Sequence, residues 1–236
     1  MTDLHFQNWP PDLPRQIDMP AQSVAQNLID TATRLPNKVA VHYYGARITY
    51  GQLLDQVERI AGWLQARGVS RGDRVLLYMQ NSPQWIIGYY AIMRADAAVI
   101  PVNPMNRQAE LEHLATDTEA SVALVGSELV NYIQPLIGTG QLNHVLSAAY
   151  ADMADPDGDI RLPDPLANLS DTDATGTGVT RWRDAIADDI APLAHLATPE
   201  DLAVIPYSSG TTGNPKGCTH CHKSVQATIH AYVHWS

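Results

Sequence analysis

Residues 73–102 read DRVLLYMQNSPQWIIGYYAIMRADAAVIPV, and they give the clearest indication of the fold class. Residues 73–79 form an apolar run of strand length, and residues 98–102 form a second one. Between them, Ser82 and Pro83 predict a helix start, because serine caps helix N-termini and proline fits the first turn. A buried strand, a helix and a second buried strand are typical of a parallel sheet whose faces are covered by helices.

The same alternation continues on both sides of this unit. Upstream, a helix is predicted to begin at Ser23, a hairpin at 39–50 and a second helix from Thr49 to Gly68. Downstream, the predicted elements are a helix over 108–116, a strand over 121–125, a weaker helix over 127–137 and a strand over 143–146. The sequence therefore predicts the α/β class, with a largely parallel sheet flanked by helices.

Four segments are predicted along the chain. Residues 1–20 are rich in proline and are interpreted as an N-terminal arm, followed by the α/β subdomain at 21–150. Residues 151–180 are rich in Asp, Gly, Pro and Thr, which favours an acidic surface loop. Residues 181–236 are expected to hold a strand, a phosphate-binding loop and the helix that follows it.

Composition limits the classes of partner. The chain has 236 residues, with 15 basic and 25 acidic side chains, and its net charge is −10. This balance argues against binding to nucleic acid or to an anionic membrane surface. We find no apolar stretch long enough to cross a bilayer and no secretory signal, and only two cysteines are present, so a cytoplasmic location is expected.

The chemistry is expected in residues 202–217, which read LAVIPYSSGTTGNPKG. Glycines allow close approach of the backbone, successive N–H groups can surround an anion, hydroxyl groups add donors, and Lys216 adds a cation. These features predict a phosphate-binding loop. It differs from the P-loop of common nucleotide hydrolases, because Gly217 and Cys218 follow the lysine where that pattern needs Ser or Thr.

Residues 207–217, YSSGTTGNPKG, resemble the phosphate-binding signature of adenylate-forming enzymes, which include acyl-CoA synthetases, adenylation domains of peptide synthetases and luciferases. Residues 48–105 are similar to the N-terminal region of such ligases, and the Val-Asn-Pro-Met segment at 102–105 is similar to fatty-acid–CoA ligases in particular. The chain departs from the family at Cys221, where Thr is usual before the retained His222.

This resemblance implies an acid–thiol ligase. A carboxylic acid, in the leading interpretation a fatty acid, would attack ATP to give an acyl-adenylate and pyrophosphate, and coenzyme A would then accept the acyl group. Lys216 would assist electrostatically and contact the phosphates. The residues that match the family's phosphate-binding positions are Ser208, Ser209, Gly210, Thr211, Thr212 and Gly213. The ligands of Mg²⁺ are expected mostly beyond this chain.

Family members are about twice as long, so we expect the chain to be an incomplete N-terminal part of the adenylate-forming fold, inactive by itself. Truncation would expose apolar surface, which predicts self-association or a homodimer. Two alternatives stay open: an adenylation domain for an amino or aryl acid, and a non-catalytic module that binds phosphate or nucleotide.

Cysteine and histidine cluster after the loop. Cys218 and Cys221 are spaced C-x-x-C, and His230 and His234 are four residues apart, which is zinc-ligand spacing at both ends. The intervening eight residues are fewer than zinc fingers use, and the family resemblance requires no metal here. We therefore predict no metal site, with zinc binding by these four residues as the open alternative.

Overall fold

A seven-stranded sheet forms the centre of the computed structural model, which describes residues 6–167, 176–208 and 215–235. In chain order, the strands are β1 (Val39–Tyr43), β2 (Ala46–Thr49), β3 (Arg74–Tyr78), β4 (Ala98–Val102), β5 (Val122–Gly126), β6 (His144–Ala148), β7 (Val179–Arg181), β8 (Leu202–Val204) and β9 (His220–Cys221). The helices are α1 (Val24–Arg34), α2 (Tyr50–Ala66), α3 (Pro83–Arg94), α4 (Gln108–Thr118), α5 (Val130–Gly138), α6 (Asp164–Ala167), α7 (Trp182–Ala187) and α8 (His222–Trp235).

The strand order across the sheet is β7-β6-β5-β3-β4-β8-β9, while β1 and β2 form a separate antiparallel hairpin. All neighbours in the large sheet run parallel except β8 and β9. The predicted α/β class and largely parallel sheet are therefore confirmed. From β3 the chain adds β4 on one side and then β5 on the other, so the winding direction reverses between the neighbouring strands β3 and β5. Open parallel sheets bind ligands beyond the carboxyl ends of the strands at such a point.

The pleat of β3 divides its side chains between two buried cores. Val75 and Leu77 pack with α1, α2, α3 and α7 on one face of the sheet. Leu76 and Tyr78 pack with α4 and α5 on the other face. Strands buried on both faces have apolar residues in succession, and this is why the run at 75–78 has no polar alternation.

Local capping starts the first three helices as predicted. The side chains of Ser23, Thr49 and Ser82 accept N–H groups of the first turns of α1, α2 and α3. At Thr49 the reciprocal bond is also present, since the Gln52 side chain accepts the Thr49 N–H at 2.9 Å. Pro83 occupies the first turn of α3, where its missing N–H leaves no bond unmade.

The described parts of 151–180, residues 151–167 and 176–180, contribute to the body of the protein as well as to its surface. Leu162 is buried, and β7 begins at Val179 and extends the sheet beyond β6. In the described part of the N-terminal segment, the ring of Trp9 lies against that of Trp235, with centroids 5.4 Å apart. The proposed boundaries at residues 20, 150 and 180 remain predictions.

Candidate functional site

The described residues on either side of the predicted phosphate-binding segment form the stem of a hairpin. Strand β8 runs parallel to β4, and β9 returns antiparallel to β8. Above them the stem continues, since Ser208 N–H donates to the Lys216 carbonyl at 3.0 Å and Cys218 N–H donates to the Pro206 carbonyl at 2.8 Å. Because β8 is parallel to β3 and β4, this stem extends from the edge where their carboxyl ends lie.

Two of the predicted phosphate-binding residues fall within the described part of the chain. Ser208 and Lys216 face each other across the stem, and the Ser208 hydroxyl accepts the Lys216 N–H at 3.2 Å. Both are exposed, and among the described residues Lys216 has no ion-pair partner. The others lie outside the described residues, and they are Ser209, Gly210, Thr211, Thr212 and Gly213.

A crevice lies beside this stem, at the carboxyl ends of β3 and β4. One cavity of about 510 Å³ is bounded by the end of β4, by α4 and by the hairpin stem, including Tyr207, Ser208 and Pro215. A second cavity of about 340 Å³ adjoins it and shares Pro101, Val102 and Asn103. The crevice therefore lies at the carboxyl edge of the sheet beside β3, one of the two strands at the winding switch, and Ser208 and Pro215 are at its border.

The rim of the smaller cavity is fixed by a buried tyrosine. Tyr150 OH accepts the N–H of Gln80, a residue of the rim, and donates to Glu128 Oε1, both at 2.8 Å. Burial raises the pKa of Glu128, although its hydrogen bond with Tyr150 acts in the opposite direction. Gly126 is required beside them, because a Cβ there would overlap the Tyr150 hydroxyl. The sequence carried no signal for this arrangement.

The cysteine and histidine cluster is spread over several elements. Cys218 is exposed before β9, Cys221 lies in β9, and His230 and His234 lie on α8. Within 6–167, 176–208 and 215–235, no three His, Cys, Asp or Glu side chains converge on a possible metal site. No residue of the described chain is therefore assigned to zinc or to Mg²⁺.

A Ser–His–Asp arrangement occurs away from the crevice. Ser23 Oγ lies 2.5 Å from His195 Nε2, and His195 Nδ1 lies 2.6 Å from Asp96 Oδ1. Ser23 is only 2% exposed and also caps α1, so its hydroxyl group is not presented to a substrate. Asp96 also accepts the N–H groups of Leu196 and Ala197. The network joins α1 to the segment before β8, and sequence spacing gave no indication of it.

Within the described residues, no helix has both the length and the apolar character needed to cross a membrane.

Comparison with known proteins identifies relatives of this architecture. A long-chain-fatty-acid–CoA ligase of Bacillus subtilis (strain 168) is 27% identical over 231 residues, which cover 96% of this chain and 41% of the relative. A 3-hydroxybenzoate–CoA ligase of Aromatoleum sp. (strain CIB) is 30% identical over 182 residues, covering 77% of this chain and 31% of that protein. The crystal structure of the anthranilate CoA ligase AuaEII in complex with anthranoyl-AMP matches this structure with a TM-score of 0.68 and 24% sequence identity. The match covers 87% of this chain and 36% of the AuaEII chain, and it shows the fold.

The chain thus spans less than half the length of these relatives. The AMP-binding enzyme family matches residues 28–236, which include the whole of the sheet and the hairpin with its loop. The chain belongs to the AMP-binding enzyme family.

Proposed function

We propose that this chain supplies the ATP-phosphate-binding part of a ligase that converts a carboxylic acid into an acyl-adenylate and transfers the acyl group to coenzyme A. The observation that carries the proposal is the position of the two ends of the loop. A hairpin presents Ser208 and Lys216 at the carboxyl edge of the sheet, beside a crevice at the ends of β3 and β4. Family membership and the ligase relatives support the same reaction class.

The loop's task in this reaction is to hold the β- and γ-phosphates while the acid attacks the α-phosphorus. Negative charge builds up on the departing pyrophosphate, and fixed N–H groups and a cation stabilise that charge without reorganising. Lys216 supplies the cation, and the Ser208 hydroxyl adds a donor at the base of the loop. Ser209, Gly210, Thr211, Thr212 and Gly213 complete the proposed set. Mg²⁺ would neutralise further phosphate charge through ligands outside the described residues.

A fatty acid is the leading proposed substrate, since the Bacillus subtilis relative is a long-chain-fatty-acid–CoA ligase matched along nearly the whole of this chain. An aryl acid is the second candidate, favoured by the 30% identity to the 3-hydroxybenzoate–CoA ligase. A cytoplasmic location, where ATP and coenzyme A are available, remains part of this proposal.

Acid-dependent exchange of radiolabelled pyrophosphate into ATP tests the reaction. It should be measured on the 236-residue chain and on the longest polypeptide that its reading frame encodes, with palmitate, benzoate and an amino-acid mixture as separate acids. We expect exchange with palmitate in the longest polypeptide and none in the 236-residue chain. Exchange with benzoate alone would show an aryl acid as the substrate instead of a fatty acid. Exchange with amino acids alone would favour an adenylation domain. No exchange with any acid, in a folded protein that binds ATP, would contradict the ligase and favour a nucleotide-binding module.

A further inference from the structure

The base of the predicted phosphate loop is held by helix α4, which the reaction scheme does not use. His113 of α4 lies with Nε2 3.3 Å from the carbonyl oxygen of Pro215, the first described residue after the loop. A ring N–H donated to this carbonyl fixes the outgoing side of the stem. The other side is held through Tyr207, whose OH donates to Asp117 Oδ2 one turn further along α4.

Tyr207 is fixed on three sides. Its ring meets the His113 ring edge-to-face, with centroids 6.5 Å apart. The backbone of Gly217 closes the opposite strand of the stem against it, since a Cβ there would be 3.2 Å from the Tyr207 Cζ atom. The third contact is the hydroxyl bond to Asp117. Burial, and then the Asp117 carboxylate, raise the pKa of Tyr207, so its phenol stays protonated and keeps donating.

The position of Tyr207 links this support to the loop. It directly precedes Ser208, which opens the predicted phosphate-binding residues, and it lines the cavity of about 510 Å³ beside them. Ser208 and Lys216 lie on the two short strands of the stem, so the positions of their side chains depend on how that stem is held. Donors that aim at an anion lose affinity when they are misplaced by a fraction of an ångström.

We propose that Asp117, acting through the Tyr207 hydroxyl, is a positioning residue that sets the phosphate-binding loop for the triphosphate of ATP. The inference rests on the proposed function, because it assigns a role in binding the same ligand. Asp117 touches no phosphate in this scheme. Its carboxylate is exposed and carries a negative charge near an anionic ligand, so by charge alone it would weaken ATP binding.

The charge of Asp117 should weaken ATP binding, whereas its bond to Tyr207 should strengthen it, so substitutions can separate the two effects. Asp117→Ala and Asp117→Asn remove the same charge, but only the asparagine side chain keeps an oxygen that accepts the Tyr207 hydroxyl. Tyr207→Phe removes the donor and leaves the charge. Glu112→Gln, a matched loss of one negative charge elsewhere on α4, is the control, since within the described part of the chain the Glu112 carboxylate accepts a hydrogen bond only from Gln108 of its own helix.

The dissociation constant for MgATP is measured on the 236-residue chain by titration calorimetry, together with the urea midpoint of each variant. We expect Asp117→Ala and Tyr207→Phe to weaken binding by about 3- to 10-fold, the range of one lost hydrogen bond. Asp117→Asn should bind within twofold of the wild type, as should Glu112→Gln. The urea midpoints should agree within error, because the bond is at the surface.

Equal affinity of Asp117→Ala and Asp117→Asn would overturn the inference, as would tighter binding by Asp117→Ala, which is the result that charge alone gives. A loss of affinity that follows the urea midpoint through all variants would also overturn it in favour of a purely structural bond. If the folded wild-type chain binds no MgATP, the proposed function fails and the inference fails with it. If the wild type binds MgATP and Tyr207→Phe binds it with the same affinity, only the inference about Asp117 fails.

Discussion

Lowering the pH should destabilise the protein through His222, the first residue of α8. Its side chain is 1% exposed, and Nδ1 accepts the N–H of Val24 at 3.1 Å. Burial lowers the pKa of His222 from 6.5 to about 4, and neighbouring His195 adds to this, whereas Asp201 and Asp96 act in the opposite direction. The folded protein therefore holds the neutral ring, because a protonated Nδ1 could not accept the N–H of Val24.

The magnitude follows from proton linkage. In the unfolded chain this histidine binds a proton below about pH 6.5, whereas in the folded protein it does so only below about pH 4. Between these limits the unfolded state holds more protons, so the free energy of unfolding falls as the pH falls. The predicted loss is at most about 2 kcal/mol between pH 7 and pH 5, and about 3 kcal/mol once the pH is below 4.

Urea unfolding at pH 7 and pH 5, at constant ionic strength, measures this loss. His222→Asn removes the ionisable ring and keeps a side-chain oxygen near the Val24 N–H. His234→Asn is the control, because it removes an exposed histidine from the same helix. We expect the wild type and His234→Asn to lose the same stability over this interval, and His222→Asn to lose about 2 kcal/mol less. Identical pH dependence of all three proteins would refute the reasoning from burial.

Three further substitutions test a close backbone approach, a helix cap and an ion pair. Gly62→Ala places a Cβ onto the carbonyl oxygen of Ile190, so it should lower the free energy of unfolding in urea by about 1–3 kcal/mol. Gly138→Ala is the control, because a Cβ there meets nothing within 4 Å. Equal stability of the two variants would contradict the close approach at Gly62. Thr49→Ala deletes the capping box of α2 and should lower the free energy of unfolding by about 1 kcal/mol, whereas an unchanged urea midpoint would mean that the cap adds nothing. Although burial opposes ionisation of Asp201, its hydrogen bonds with Arg71 and Thr198 lower its pKa from 3.8 to about 2. Asp201→Asn should therefore reduce the melting temperature above pH 4, with the difference narrowing as the pH falls towards 2, and a difference independent of pH would count against the ion pair.

The helices and central strands could be predicted because their signals are local. Ser82 and Pro83 mark the start of α3 without reference to any distant residue, and the apolar run at 75–78 requires a strand covered on both faces. Strand β9 could not be predicted in this way. It has two residues, His220 and Cys221, and it exists because β8 is alongside to pair with it.

The same distinction applies to the candidate site. Ser208 and Lys216 could be proposed from the sequence because the loop itself has the glycines, hydroxyl groups and lysine expected of a phosphate site, and their role stays a prediction. Asp117 could not be proposed in this way, since it comes from a helix 90 residues before Tyr207 and only the sheet order brings the two together. The Ser23, His195 and Asp96 network was missed for the same reason, because its members are far apart in sequence and no local pattern marks them.

Titration calorimetry of MgATP binding to the 236-residue chain, comparing the wild type with Lys216→Ala, tests whether this loop binds the ATP phosphates. We expect a single site in the wild type and a dissociation constant at least about fivefold higher in Lys216→Ala, since the cation proposed to bind the phosphates is lost. Inorganic pyrophosphate should compete for the same site. A folded wild-type chain that binds neither ligand, or a Lys216→Ala variant that binds both as tightly as the wild type, would contradict the assignment of the β8–β9 loop to the phosphates.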